Sequence, residues 1–355
     1  MASLLFTPLK LRDVTLKNRI VVSPMCQYSS EDGFPNDWHF VHLGSRAVGG
    51  AGLVFTEATA VEDIGRISPQ DLGLWKDAHT EPLARIARFV AQNGATPGIQ
   101  LAHAGRKASA YRPWEGGGAV PAEKGGWQTV GPSPIPFDEG WPAPAQLDAA
   151  GIQRIIRAFA DAAGRALEAG FQVIELHGAH GYLLHAFLSP ISNQRTDRYG
   201  GPLENRVRFA REVTRAVRAK WPERLPLIIR ISATDWVPGG WELEDSLTLA
   251  RLLAEDGADV IDCSSGGSVP HAKIPGGPGY QTPFAERIRR ESNIKTAAVG
   301  LIRSAFQAEH ILRTEQADLV VLARELLRDP YWPLRAAREL RADVPWPVQY
   351  ERARD

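Results

Sequence analysis

Cysteine is scarce. Two thiols, Cys26 and Cys263, serve 355 residues, too few for a disulfide framework and in keeping with a reducing compartment. There is no excess of charge of either sign: 41 Lys and Arg offset 41 Asp and Glu. No global field therefore points to nucleic acid or an anionic membrane as a partner. No apolar run approaches the ~20 residues of a membrane span, and the amino end is too short and mixed for a signal peptide. The expected location is the cytoplasm. Also missing are a G-x-G-x-x-G turn and a P-loop lysine motif, so a Rossmann dinucleotide site and a nucleotide hydrolase lack support.

What is present is a repeated unit of short apolar strand, loop and amphipathic helix, in a chain that is 44% hydrophobic and can bury a large core. Strands are expected over residues 20–22, 53–56, 97–101, 172–176, 227–231, 260–263, 296–299 and 319–322. Eight strands alternating with helices predict an α/β protein of the (β/α)₈ TIM barrel type, in preference to an open doubly wound sheet. Leu9, Leu11, Val14 and Leu16 alternate around Arg12-Asp13, which predicts an N-terminal β-hairpin able to plug one end of the barrel. Ile152, Ile155, Ile156, Phe159, Ala163 and Leu167 form the apolar face of a helix capped by Asp148, and Ser304 with Gln307 resembles a capping box. No domain boundary is evident, so residues 1–355 read as a single domain. One long excursion, residues 107–146, follows the third strand. It is rich in Gly, Pro and Trp (Trp114, Trp127, Trp141), as befits either a lid or a surface cover. A second Gly/Pro run, 266–279, follows the sixth.

The chemistry gathers around Glu175-Leu-His177-Gly-Ala-His180-Gly-Tyr182. His177 and His180 have opposite parity on a strand, so Gly178 is expected to break the pleat if both are to face one cavity. Two neutral imidazoles aimed at one point can hold a carbonyl or nitro oxygen, and a tyrosine nearby can deliver a proton. The alternatives are satisfied core histidines and a zinc site; the three-residue spacing without neighbouring carboxylates or cysteines fits zinc poorly. In a barrel the site lies at the carboxyl ends of the strands. There the sequence offers Ser23-Pro24-Met25-Cys26, Glu57-Ala58, Gln100 with His103, Arg230, Gly300 and Arg324. Arg230 sits in the apolar run Leu227 to Ile231, where it needs a ligand anion or internal pairing with Glu175 or Asp262. Gly300, and Ala323 with Arg324, follow the last two strands, where barrels often bind phosphate. Cys26 reads as a nucleophile or as a small buried hydrophobe.

Taken together and in order, Ser23-Pro-Met-Cys26-Gln-Tyr28, Glu57-Ala58-Thr-Ala60-Val, Gln100-Leu-Ala-His103-Ala-Gly-Arg106-Lys107, His177-Gly-Ala-His180-Gly-Tyr182, Thr196-Asp-Arg198-Tyr-Gly-Gly201 and Ala323-Arg324-Glu325-Leu-Leu resemble the old yellow enzymes. More narrowly they resemble the thermophilic-like subclass of FMN-dependent ene-reductases. That resemblance implies non-covalent FMN, held by Ser23, Pro24, Met25, Cys26, Ala58, Gln100 and Arg230, with Gly300, Ala323 and Arg324 on its phosphate. It implies NADPH or NADH as hydride donor and an activated alkene as acceptor. His177 and His180 would hold the activating oxygen, Tyr182 would protonate the α-carbon, Cys26 would tune the flavin, and Tyr28 would line the substrate pocket. Ala323 stands where a glycine is common. A tail, residues 345–355, would carry Arg352 into a neighbouring subunit's site, making a homodimer or homotetramer. Competing expectations are the same flavin barrel acting on nitroesters, nitroaromatics or quinones, and a flavin-free barrel binding a phosphorylated ligand.

Overall fold

The computed structural model describes residues 3–354. Its strands, in chain order, are β1 (Leu9–Leu11), β2 (Val14–Leu16), β3 (Ile20–Val22), β4 (Leu53–Ala60), β5 (Thr96–Ala102), β6 (Val130–Gly131), β7 (Ala145–Gln146), β8 (Val173–Gly178), β9 (Leu227–Ser232), β10 (Val260–Ser264), β11 (Lys295–Val299) and β12 (Leu319–Leu322). Eight of them close into a barrel in the order β3-β4-β5-β8-β9-β10-β11-β12. Every pairing in the ring is parallel, including the closing one, Val320 to Ile20 and Leu322 to Val22. The eight strands are those expected from the apolar runs. Their near-continuous β-branched and leucine character follows from burial on both faces, and every residue of β4, β5, β8, β9, β10 and β12 is buried. The largest difference is at β4, which runs on to Ala60. A bulge between Phe55 and Ala58 shifts the register with β5 and lets pairing resume.

Helices cover the outside. In Ala149–Glu168 the residues Ile152, Ile155, Ile156, Phe159 and Ala163 are buried, and Asp148 Oδ1 accepts from Gly151 N at 2.7 Å. The seventh helix of the repeat, Ala305–Arg313, is capped by Ser304, whose hydroxyl accepts from Gln307 N at 3.1 Å. The return arm differs from a full box: Gln307 Oε1 accepts from Arg303 N, one residue before the cap.

β1 and β2 form the expected antiparallel hairpin, and it lies at the amino end of the barrel. Asp13 N donates to Arg224 O, and Arg12 pairs with Asp259 at 2.7 Å; both partners precede strand starts. At the opposite end the long excursion is mostly non-regular, tied by the short β6/β7 ladder. Arg66 stacks between Trp75 and Trp127, 5.3 and 5.0 Å from their rings, and the Trp127 indole donates to Ile64 O. Trp114 is exposed and rests edge-on against Tyr28, ring centroids 5.8 Å apart. The excursion is thus a surface cover for most of its length and a rim element at Trp114.

Phe159 is wholly buried where its helix meets the barrel. Phe159→Ala is expected to lower unfolding free energy by about 3–5 kcal/mol; denaturant unfolding with unchanged far-UV dichroism before the transition checks it, and a loss under about 1 kcal/mol contradicts the packing described.

Candidate active site

The carboxyl ends of the strands surround a cavity of about 260 Å³ lined by Ser23, Pro24, His180, Arg230, Ser264, Gly300, Ala323 and Arg324, among others. These residues come from β3, β8, β9, β10, β11 and β12 or the loops after them, as barrel geometry requires.

The two histidines meet, by a different turn from the one expected. Gly178 stays in the ladder opposite Ile231, and it is glycine because a Cβ there would stand 2.9 Å from Arg230 O. The reversal comes at His180 (φ 61°) and Gly181 (φ 76°), both left-handed, the first an uncommon conformation for a side-chain-bearing residue. Buried polar partners hold it there. His180 N donates to Ser232 Oγ at 2.9 Å, and Lys107 Nζ donates to His180 O at 2.8 Å and Gly267 O at 3.0 Å. His177 Nδ1 accepts from Ala179 N, which leaves the ring proton on Nε2, 3.3 Å from His180 Nδ1. The His180 proton is then on Nε2, 2.7 Å from Ser264 Oγ. Burial, reinforced by Arg230 and Lys107, holds both imidazoles well below their usual pKa, so both are neutral donors. Tyr182 packs on His177 with ring centroids 4.9 Å apart. Burial, with Cys26 and Tyr28 adding to it, pushes its phenol well above the usual value, so it keeps its proton.

Arg230 combines both readings the sequence allowed. It lines the cavity, and it is paired internally: Nε to Asp262 Oδ2 at 2.8 Å, Nη2 to Ser23 Oγ at 3.1 Å, and Nε 3.6 Å from Glu175 Oε1. Gln100 Nε2 donates to the same Glu175 oxygen at 2.6 Å. All five side chains are buried. Burial raises the Glu175 carboxyl to about 8, against the pull of Arg230, so Glu175 is largely the neutral acid at pH 7. Its proton then lies on Oε2, the oxygen that Gln100 leaves free, and is available to Asp262 Oδ1.

The wall from Ser23 to Tyr28 is set by carboxylates behind it. The β4 bulge turns Glu57 toward the wall, where Oε2 accepts from Gln27 N at 2.8 Å and Oε1 lies 3.1 Å from His39 Nε2. Met25 packs on the core, Ala58 is buried, and Tyr28 has φ 49°. Burial, then Asp71 and Glu57, push the Cys26 thiol well above its usual value. It is a neutral thiol, which removes the nucleophile reading.

At the other end of the cavity Gly300 has φ 128°, open to glycine alone, and a Cβ would meet Gln281 Nε2 and the Tyr280 ring at 3.0 Å. Ala323 has φ −106°, so no glycine is required there. The Arg324 side chain faces the cavity with no hydrogen bond or ion pair among the described residues. A bare backbone cradle with a free guanidinium suits a phosphate, and the Arg230 guanidinium on the same lining suits an electron-rich ring edge, so the donor set fits a flavin mononucleotide. Among the described residues no group of three or more His, Cys, Asp and Glu is placed to hold a metal, and no helix is long and apolar enough to cross a membrane.

Of the expected site residues, Met25, Cys26, Tyr28, Ala58, Gln100, His177 and Tyr182 are not on the cavity lining itself, and one lies apart altogether. Arg352 is exposed in the short 3₁₀ helix Val348–Ala353 and makes no side-chain hydrogen bond or ion pair within the described chain. His103 turns to Gly105 N and Glu62, outside the cavity lining. Two residues were missed. Ser264 is the residue past the sixth strand and is found by the same strand-end rule that gave the others. Lys107 closes the Gln100 motif, but nothing in the pattern says that it clamps backbone carbonyls.

The thiol assignment predicts slow alkylation of Cys26 by iodoacetamide in the folded protein at pH 8, relative to an unperturbed thiol. Asp71, itself raised to about 7 by burial, is charged at pH 8, so Asp71→Asn removes a negative neighbour and should speed alkylation. No acceleration would detach Asp71 from Cys26. Cys263 is fully buried and serves as the silent control.

Comparison with known proteins agrees with this geometry. Residues 4–343 match the model of the NADH:flavin oxidoreductase / NADH oxidase family. An NADPH dehydrogenase of a Geobacillus species is 52% identical over 354 residues, with 99% of each chain covered. The NADPH dehydrogenase of Bacillus subtilis is 48% identical over 354 residues at the same coverage. Among solved structures, morphinone reductase superposes with a TM-score of 0.80 at 28% identity, covering 98% of this chain and 92% of its own. An old yellow enzyme homologue from Zymomonas mobilis gives 0.78 at 25%, with 97% and 94% covered. With a flavin in place of the flavin-free alternative and a nicotinamide as hydride donor, the chain belongs to the NADH:flavin oxidoreductase / NADH oxidase family, as an FMN-dependent oxidoreductase of the old yellow enzyme type.

Proposed function

We propose that the protein is an NADPH-dependent reductase of alkenes conjugated to a carbonyl or nitro group. The observation that carries this is the contact of two neutral, proton-donating imidazoles with a protonated phenol beside the cavity that His180 lines. Bound FMN supplies the redox chemistry, taking a hydride from the nicotinamide and giving one to the β-carbon of the alkene. Ser23, Pro24, Met25, Cys26, Ala58, Gln100 and Arg230 would hold its ring, and Gly300, Ala323 and Arg324 its phosphate.

His177 and His180 bind the activating oxygen of the substrate. In the free protein the His177 Nε2–H is spent on His180, and the His180 Nε2–H on Ser264; a substrate oxygen takes over as acceptor. Because both rings are already neutral donors, no protonation has to precede binding, and the polarised oxygen leaves the β-carbon electron-poor. Tyr182 delivers its proton to the α-carbon. Tyr28 and Trp114 edge the pocket, and the neutral Cys26 thiol faces it without acting as a nucleophile.

We further read the carboxyl tail as part of a neighbouring subunit's site. Val348 is 78% exposed, and Tyr350, 40% exposed, packs only edge-on against Tyr331, beside an Arg352 that makes no side-chain hydrogen bond or ion pair among the described residues. Arg352→Ala should raise KM for the alkene at unchanged kcat, and an unchanged KM would separate the tail from the pocket.

Tyr182→Phe should slow alkene reduction by about 10²- to 10⁴-fold while flavin bleaching by NADPH stays near the native rate; stopped-flow absorbance resolves the two. Equal losses in both half-reactions contradict the proton-donor role. The histidine pKa values lie below the working range and that of Tyr182 above it, so these three groups should add no inflection to the native alkene step between pH 6 and 9. Inflections there are expected from Asp71 and Lys107, each near 7, and Glu175, near 8, and one that survives Asp71→Asn, Lys107→Met and Glu175→Gln contradicts the assignment.

A further inference from the structure

Behind Tyr182 lies a buried polar group that the chemistry above does not use. His185, Asp235 and Ser189 are wholly buried. His185 Nδ1 accepts from Gly181 N at 2.8 Å, so its proton is on Nε2, 3.0 Å from Asp235 Oδ1. The other carboxylate oxygen of Asp235 accepts from Ser189 Oγ at 2.6 Å and Trp241 N at 2.8 Å. Each oxygen thus faces N–H or O–H donors alone, a role that a carboxylate fills and an amide cannot.

We propose that His185 and Asp235 are positioning residues for Tyr182: the carboxylate fixes the imidazole tautomer, and the imidazole fixes the Gly181 amide from which the Tyr182 phenol is carried. The assignment rests on the reading of Tyr182 as proton donor. Three observations support it. Gly181 lies in left-handed backbone directly after the left-handed His180, a turn with little intrinsic preference to hold its shape. Of the turn's other ties, Ser232 and Lys107 hold His180, and the Tyr182 and Leu183 amides donate to Ala179 O and His103 O; His185 Nδ1 is the acceptor for the Gly181 amide. Gly181 is also boxed in, since a Cβ there would stand 2.1 Å from Gly267 O, which leaves an unanchored turn no room to rebuild around a larger residue. A phenol that must reach one carbon is sensitive to displacement, and a shift of about 1 Å can cost on the order of 100-fold in rate.

The test compares His185→Leu, His185→Asn and Asp235→Asn with Tyr182→Phe in the FMN-loaded enzyme. Asparagine at 185 keeps an acceptor near the place of Nδ1, and leucine keeps only bulk. His185→Leu is expected to slow alkene reduction roughly 10- to 100-fold, with flavin reduction by NADPH little changed, and to speed hydrogen exchange at the Gly181 amide. His185→Asn should restore much of the alkene rate and the amide protection. Asp235→Asn should behave as His185→Leu does, and it carries the test if the leucine variant does not fold. An alkene rate that survives His185→Leu while Tyr182→Phe abolishes it overturns the proposal and leaves the proton-donor reading standing. If Tyr182→Phe spares the alkene step, that reading falls instead. Amide exchange then decides alone: lost protection in His185→Leu, regained in His185→Asn, upholds the anchor, and unchanged protection overturns it.

Discussion

Closure of the parallel sheet is the constraint on which everything else depends. When Leu319–Leu322 hydrogen-bonds to Ile20–Val22, no strand edge remains, and the carboxyl ends of all eight strands converge on one mouth. Residues as distant in sequence as Ser23 and Arg324 become neighbours through that ring alone. The short strands, several of only three to five residues, suffice because each is paired on both sides and buried on both faces.

Convergence has an electrostatic cost, and the molecule meets it by neutralisation. Arg230 is buried only because Asp262 is buried beside it. Glu175 is buried as the acid, and the buried His177 and half-buried His180 are neutral rings. The same burial that keeps the imidazoles and the Tyr182 phenol uncharged gives the mouth its chemical character, a set of groups that hold their protons at neutral pH. Cys26, pressed by two carboxylates, follows the same rule. Function and burial are here one effect seen from two sides.

The sequence was most legible where one principle dominated. Strand positions followed from apolar runs, and the strand-end rule collected Ser23, His180, Arg230, Gly300 and Arg324 before any coordinates, because parallel strands sort their termini by direction. Legibility failed where geometry is made by contacts from elsewhere. Parity on a strand pointed to Gly178 as the breaking point, whereas partners on β9 and at Lys107 force His180 itself into left-handed backbone. Asp235 lies far from His185 in sequence and has no motif. Trp114 was visible as one tryptophan among several in a long excursion, and only its edge contact with Tyr28 puts it at the rim.

The hairpin at the amino end has a consequence beyond packing. By lying across the starts of β9 and β10, with Arg12 locked to Asp259, it makes the barrel a vessel with a floor. Under the function proposed, reductant and acceptor would then share the mouth at the carboxyl ends and would queue at one door, each visit ending before the next begins.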